Sequence, residues 1–87
     1  MEFLKDPQSV LDYAIDWSSW LGADTITVSA WVPQTGITID SDTKTDTTTT
    51  VWLSGGTDRE SYRVTNHITT AAGREEDRTI IIRVFQQ

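Results

Sequence analysis

Cysteine is absent from the 87 residues, so neither a disulfide nor a thiolate metal site can brace the core. Proline occurs twice and histidine once. The lone histidine, His67, falls on the outward side of an expected strand. No nucleophile-elbow motif offers it a serine to activate, so it reads as a solvated strand residue. Basic residues are scarce, 7 against 13 acids, for a net charge of −6. A surface of that sign repels phosphate backbones and anionic membranes, which argues against nucleic-acid and membrane partners. No apolar run approaches the ~20 residues of a membrane span. The opening Met1-Glu2-Phe3-Leu4-Lys5 lacks the apolar core of a signal peptide, and the expectation is a chain made in a cytoplasm.

What is present points to strands. The length fits one small domain of about 100 residues, and surface scaling lets such a chain bury about 64% of its surface. Threonine, β-branched and strand-favouring, supplies 15 of the 87 residues. After a turn signal at Asp6-Pro7, Leu11, Tyr13, Ile15 and Trp17 alternate with polar or small residues. Val10, Ala14, Trp17 and Leu21 also fit a helix face; the aromatic and β-branched content favours the strand, with one helical turn over Ser18 to Gly22. Thr25 to Val32 reads as a strand with Ile26, Val28, Ala30 and Val32 on one face and Trp31 on the other. Ile37 and Ile39 make a short strand, and Thr47 to Leu53 puts Val51 and Leu53 on one face and Trp52 on the other. Gly55-Gly56 breaks the chain.

The last third alternates most clearly. Tyr62, Val64, Asn66 and Ile68 share a stripe, as do Ile80, Ile82 and Val84. A hairpin centred near Arg74 sets Ile68 against Ile80, Asn66 against Ile82 and Val64 against Val84, with apolar faces coincident. Short strands at roughly 8–12-residue spacing predict an all-β antiparallel sandwich of about six to eight strands. Residues 10–87 form it and residues 1–9 a short N-terminal arm, of which Met1 to Lys5 should be ordered only against a partner. Ile26, Val28, Val51, Leu53, Tyr62, Val64, Ile68, Ile80, Ile82 and Val84 are the expected core, with Trp17 also inside and Trp20 capping it beside Leu21. Asn66, inside that core, must bond to a neighbouring backbone group.

Little here suggests catalysis. Glu75-Glu76 and the Asp12, Asp16 pair sit where a hairpin tip and a solvated face belong, and a thin sandwich offers little concavity to raise their pKa. The expectation is no enzyme and no cofactor. Asp40, Asp42 and Asp46 admit a loose calcium loop or a solvated acidic turn; the EF-hand pattern fails, because Lys44 takes a ligand position and the required Gly is missing. The tryptophans are more informative. Trp31, Trp52, Ile81 and Phe85 all lie out of phase with the apolar faces, which makes them candidate partner-binding residues. Coverage of the same rings within the monomer is the other reading.

Particular strings carry a resemblance. Asp6-Pro7, Leu11-Asp12-Tyr13, Asp16-Trp17, Trp20-Leu21 and Asp24-Thr25-Ile26 resemble the opening of a family of small virion structural proteins of tailed bacteriophages and prophages. Trp52-Leu53-Ser54-Gly55-Gly56, Tyr62-Arg63-Val64-Thr65-Asn66, Ile68-Thr69-Thr70 and Gly73-Arg74 resemble its second half. Asp58-Arg59-Glu60 departs from the small residues usual after the double glycine. The resemblance implies an immunoglobulin-like, fibronectin-III-like sandwich and a non-enzymatic part of the particle. That part would decorate the capsid or serve the head–tail junction or tail, by packing on other virion proteins or on copies of itself. A carbohydrate- or receptor-binding sandwich, with Trp31 and Trp52 stacking on sugars, is the alternative.

Overall fold

A computed structural model describes residues 1–86. Seven strands and one helical turn follow in order: β1 (Glu2–Lys5), β2 (Leu11–Asp16), α1 (Ser18–Leu21), β3 (Ile26–Pro33), β4 (Ile37–Lys44), β5 (Thr48–Gly55), β6 (Ser61–Thr70) and β7 (Glu75–Val84). They form two sheets, a four-stranded one in the order β1-β7-β6-β3 and a three-stranded one in the order β2-β5-β4. The fold is thus an all-β sandwich, as the alternation predicts. The final residue of the span 10–87 lies outside the described residues.

The core is where the period-two pattern places it. Val51, Leu53, Val64, Ile68, Ile80, Ile82 and Val84 are completely buried, with Ile26 and Tyr62 nearly so. Trp17 is also fully covered, so the strand reading of Leu11 to Trp17 holds and the helical alternative falls. Trp20 packs on the core rim, its ring edge-on to Trp17 at 5.6 Å.

Three expectations need correction. First, Val28 is 53% and Val32 62% exposed. The β3–β6 register shifts between Ile26 and Val28. A bulge there inserts one residue, and one residue reverses every later side chain. Val28, Ala30 and Val32 therefore face solvent, and Ser29 and Trp31 turn inward.

Second, the hairpin register slides. Val64 pairs with Ile80, Tyr62 with Ile82 and Asn66 with Arg78. The reversal is tight: Gly73 N–H donates to Thr70 O at 3.0 Å, and Thr70 N–H to Arg74 O at 2.9 Å. Gly73 has φ +87°, a conformation that glycine adopts without strain. The charged stretch from Glu75 consequently joins the ladder. A slide by an even number of residues keeps each side chain on its face, which is why the core is unaltered.

Third, residues 2–5 of the expected arm are not free. They form β1, which pairs in parallel with β7, so the sandwich is not wholly antiparallel. Phe3 turns inward and tilts against Tyr13, ring centroids 5.1 Å apart. Lys5 is fully buried, its ammonium donating to Asp6 O at 2.9 Å and Gly55 O at 2.8 Å. Two carbonyl acceptors compensate the burial of a cation that is otherwise costly, and that burial lowers the Lys5 pKa. Lys5 thereby ties the edge of one sheet to the end of the other.

Candidate partner-binding surface

The structure separates the four out-of-phase residues. Trp31 points inward after the β3 bulge and packs on the core, its indole N–H covered without a hydrogen-bond partner. It is core-facing rather than presented to a partner. Ile81 lies half-buried on the outer face of the four-stranded sheet, in a row between Glu2 and Arg63. Phe85, 42% exposed, sits just past β7 and donates its backbone N–H to Lys5 O. Trp52 lies on the opposite side of the molecule, on the outer face of the three-stranded sheet.

The local sequence explains the position of Trp52. In β5 the side chains of Thr49, Val51 and Leu53 are buried, so Thr50, Trp52 and Ser54 face out. β5 is the central strand of its sheet, and Trp52 therefore sits mid-face, 40% exposed. Its cross-strand neighbours are Asp12 on β2 and Ser41 on β4. The β4 register shifts between Ile39 and Ser41. Asp40 falls at that shift, and its carboxylate accepts from the Ser54 hydroxyl at 3.1 Å on the same outer face. The neighbouring rows pair Ala14 with Thr50, Thr50 with Thr43, Asp16 with Thr48 and Thr38 with Ser54.

The other outer face is different in kind. Most of its charges are paired with one another: Arg83 contacts Glu2 at 2.6 Å, and His67 is held between Glu75 and Asp77, while Arg63 enters no ion pair among the described residues. His67 is not a simple solvated residue. Its Nε2 lies 2.9 Å from Glu75 and its Nδ1 bonds Asp77, and hydrogen bonds to these two carboxylates raise its pKa. The corrected hairpin register, which sets His67 opposite Asp77, creates this arrangement. The i, i+2 spacing of Glu75 and Asp77 is its only trace in the sequence. Exposed Val28 and Val32 complete the face, and the bulge that turns them out leaves no trace in the sequence.

Two polar centres brace the fold: the first joins the two sheets, and the second ties the segment after α1 to the β6–β7 turn. The Asn66 carboxamide oxygen accepts from the Trp17 indole at 3.1 Å and the Thr49 hydroxyl at 2.7 Å; its amide donates to Ser29 Oγ at 3.0 Å and Ala30 O at 3.1 Å. The bond to Ala30 is the expected one to a neighbouring backbone. Asp24 accepts from the backbone of Thr25 and Ala72 and from the Arg74 side chain. A hydrogen bond from Thr70 leads the interactions that pull its pKa down to about 2. The Arg74 guanidinium lies 4.3 Å from the Trp20 ring, and Arg78 lies at the same distance from Trp17.

Among the described residues no enclosed pocket exists, and no three His, Asp or Glu side chains converge as a metal site. Asp40, Asp42 and Asp46 are accordingly not brought together. What the surface offers is two flat faces of contrasting chemistry. Such faces suit protein–protein contact better than the enclosure of a small molecule.

A sequence-family model described as Podophage GP4 fiber-tail adaptor protein gp77 covers residues 5–83, nearly the whole chain. No curated protein matches.

Proposed function

Since the chain belongs to the Gp77 family, that of the podophage GP4 fiber-tail adaptor proteins, we propose that it joins the tail fibre to the tail of a short-tailed phage particle. Family membership establishes a tail-associated structural protein of the virion. The bridging role, the tail fibre as one partner and synthesis in the host cytoplasm are the reading advanced here. The match over residues 5–83 carries it.

The geometry supports a rigid spacer that works by binding rather than catalysis. The Cα trace measures 41 × 19 × 16 Å. Its outer faces are fixed to each other by the packed core, the Asn66 network and the Lys5 bond to Gly55 O. A side chain docked on one face is thus held in register with a partner on the other, without a hinge between them.

The strand order also supports the immunoglobulin-like reading. With β2, β5 and β4 as strands B, E and D, and β3, β6 and β7 as C, F and G, six strands follow the constant-type pattern, while β1, as strand A, departs from it by pairing in parallel with G instead of joining the B-E-D sheet. Tyr62, near the start of β6, accepts from the Thr57 backbone N–H at 2.9 Å, in the manner of the tyrosine corner of that fold.

The test is removal of the gene from the phage. Particles should assemble with tails but without fibres, and the protein supplied in trans should restore them. Fibres at full copy number on particles lacking this chain would overturn the proposal.

A further inference from the structure

Resting on that reading, we infer that the outer face of the three-stranded sheet is the docking surface for a basic virion partner, which lays an arginine or lysine side chain across Trp52 between Asp12 and Asp40.

The four tryptophans divide by what covers them. Trp17 and Trp20 each carry an arginine of this chain over the ring, both at 4.3 Å. Trp31 is packed inward. Trp52 remains, 40% exposed at the centre of a flat sheet face, with no cation over it among the described residues. An aromatic ring attracts a cation through its negative face, and a flanking carboxylate adds a charge-assisted hydrogen bond to the same group. Asp12 lies beside the ring in the cross-strand row, and the β4 bulge leaves Asp40 over Ser54, one outward position further along β5.

The charge of this face is only partly compensated within the chain: Lys5 acts on Asp40 and Arg78 on Asp16, whereas Asp12 enters no ion pair among the described residues. Asp12, Asp16 and Asp40 lie on it, and the seven cations of the chain are engaged or placed elsewhere. Lys5 and Lys44 donate to the carbonyls of Gly55 and Ile26, and Arg74 and Arg78 cover Trp20 and Trp17. Arg63 and Arg83 belong to the strands of the other sheet, and Arg59 precedes β6. The opposite face pairs most of its own charges, Glu2 with Arg83 and His67 with Glu75 and Asp77, and its remaining charge, Arg63, is a cation. A partner that meets the Trp52 face must itself supply the positive charge that Asp12 lacks. Complementarity of this sort selects the partner and speeds its approach.

Particles grown without the gene provide the probe. Purified wild-type, Trp52→Ala, Asp12→Lys and Thr35→Ser chains are incubated with them, and bound copies per particle are counted by quantitative mass spectrometry across a salt series. Trp52→Ala and Asp12→Lys should each lower occupancy at limiting protein at least tenfold. Thr35→Ser, in the exposed turn between β3 and β4 and on neither face, should retain wild-type occupancy, and wild-type binding should weaken as salt rises. Asp12 is exposed and makes no contact that folding needs, so Asp12→Lys keeps the test valid even if Trp52→Ala melts early. Wild-type occupancy by both Trp52→Ala and Asp12→Lys would overturn the inference. So would a self-association of the isolated chain that Trp52→Ala abolishes, because the occupant would then be a second copy. Wild-type chain absent from particles altogether would overturn the tail reading itself.

Discussion

Asn66 is the residue on which the two sheets converge, and its removal should be severe. The side chain is fully buried. Asn66→Ala deletes four hydrogen bonds, two accepted from Trp17 and Thr49 and two donated to Ser29 and Ala30. A net bond contributes about 1 kcal/mol, and a buried group left unpaired costs about 1–3 kcal/mol. Trp17 keeps a partner, because its indole also donates to Thr49 Oγ1 at 3.2 Å. The Thr49 hydroxyl and the Ala30 carbonyl each lose one. The sum is about 2–4 kcal/mol, against a total of about 4–13 kcal/mol for a domain of this size. With a urea slope of about 1 kcal/mol/M, the midpoint should fall by about 2–4 M. Tryptophan fluorescence follows the transition directly, since Trp17 belongs to the network. Thr49→Val removes the hydroxyl alone, and the double-mutant cycle with Asn66→Ala should show a coupling of at least 0.5 kcal/mol. An Asn66→Ala cost below about 1 kcal/mol, or strict additivity with Thr49→Val, would refute the argument that this network fixes the sheets.

Other outcomes follow from the same structure. Ile82→Ala, at a fully buried site facing the core, should cost about 2–5 kcal/mol by denaturant melt. Gly56→Ala should cost about 1–3 kcal/mol in the same assay, because Gly56 has φ +93° and an added Cβ would lie 2.7 Å from Cγ2 of the buried Val84. The pH dependence near neutrality should run opposite to that of a paired carboxylate. Glu75 and Asp77 raise the His67 pKa, so the folded state holds that proton more tightly than the unfolded one. The contribution is complete below the unfolded value of about 6.5 and is lost as pH rises through the folded value. Melting temperature should therefore decline between pH 6 and pH 8.5. His67→Gln, which removes the only histidine, should flatten that decline; a slope left intact would exclude His67 as its source.

The sandwich was readable because period-two alternation survives small errors of register. In β6 and β7 the expected pairing is displaced, yet Tyr62, Val64, Ile80 and Ile82 are all buried, because an even displacement preserves the face. A bulge has the opposite effect. Between Ile26 and Val28 the irregularity reverses the face, and both faces of that strand carry apolar side chains, so composition cannot tell Trp31 inside from Val32 outside. β1 was hidden for a different reason. It buries only two inward positions, Phe3 partly and Lys5 wholly, and lysine is almost never buried unless it finds partners. Those partners, the carbonyls of Asp6 and Gly55, exist only in the assembled fold. Of the candidate surface, the outward position of Trp52 followed from the buried phase of Val51 and Leu53. Its acidic setting did not, since it depends on Asp12 lying beside the ring and on the β4 bulge that places Asp40.

Electron cryo-microscopy of the intact tail at side-chain resolution tests the central claim most directly. The account predicts this sandwich in density between tail and fibre, touching both, with a basic side chain of a neighbour over Trp52. Fibres seated directly on the tail, with no sandwich between them, would contradict it.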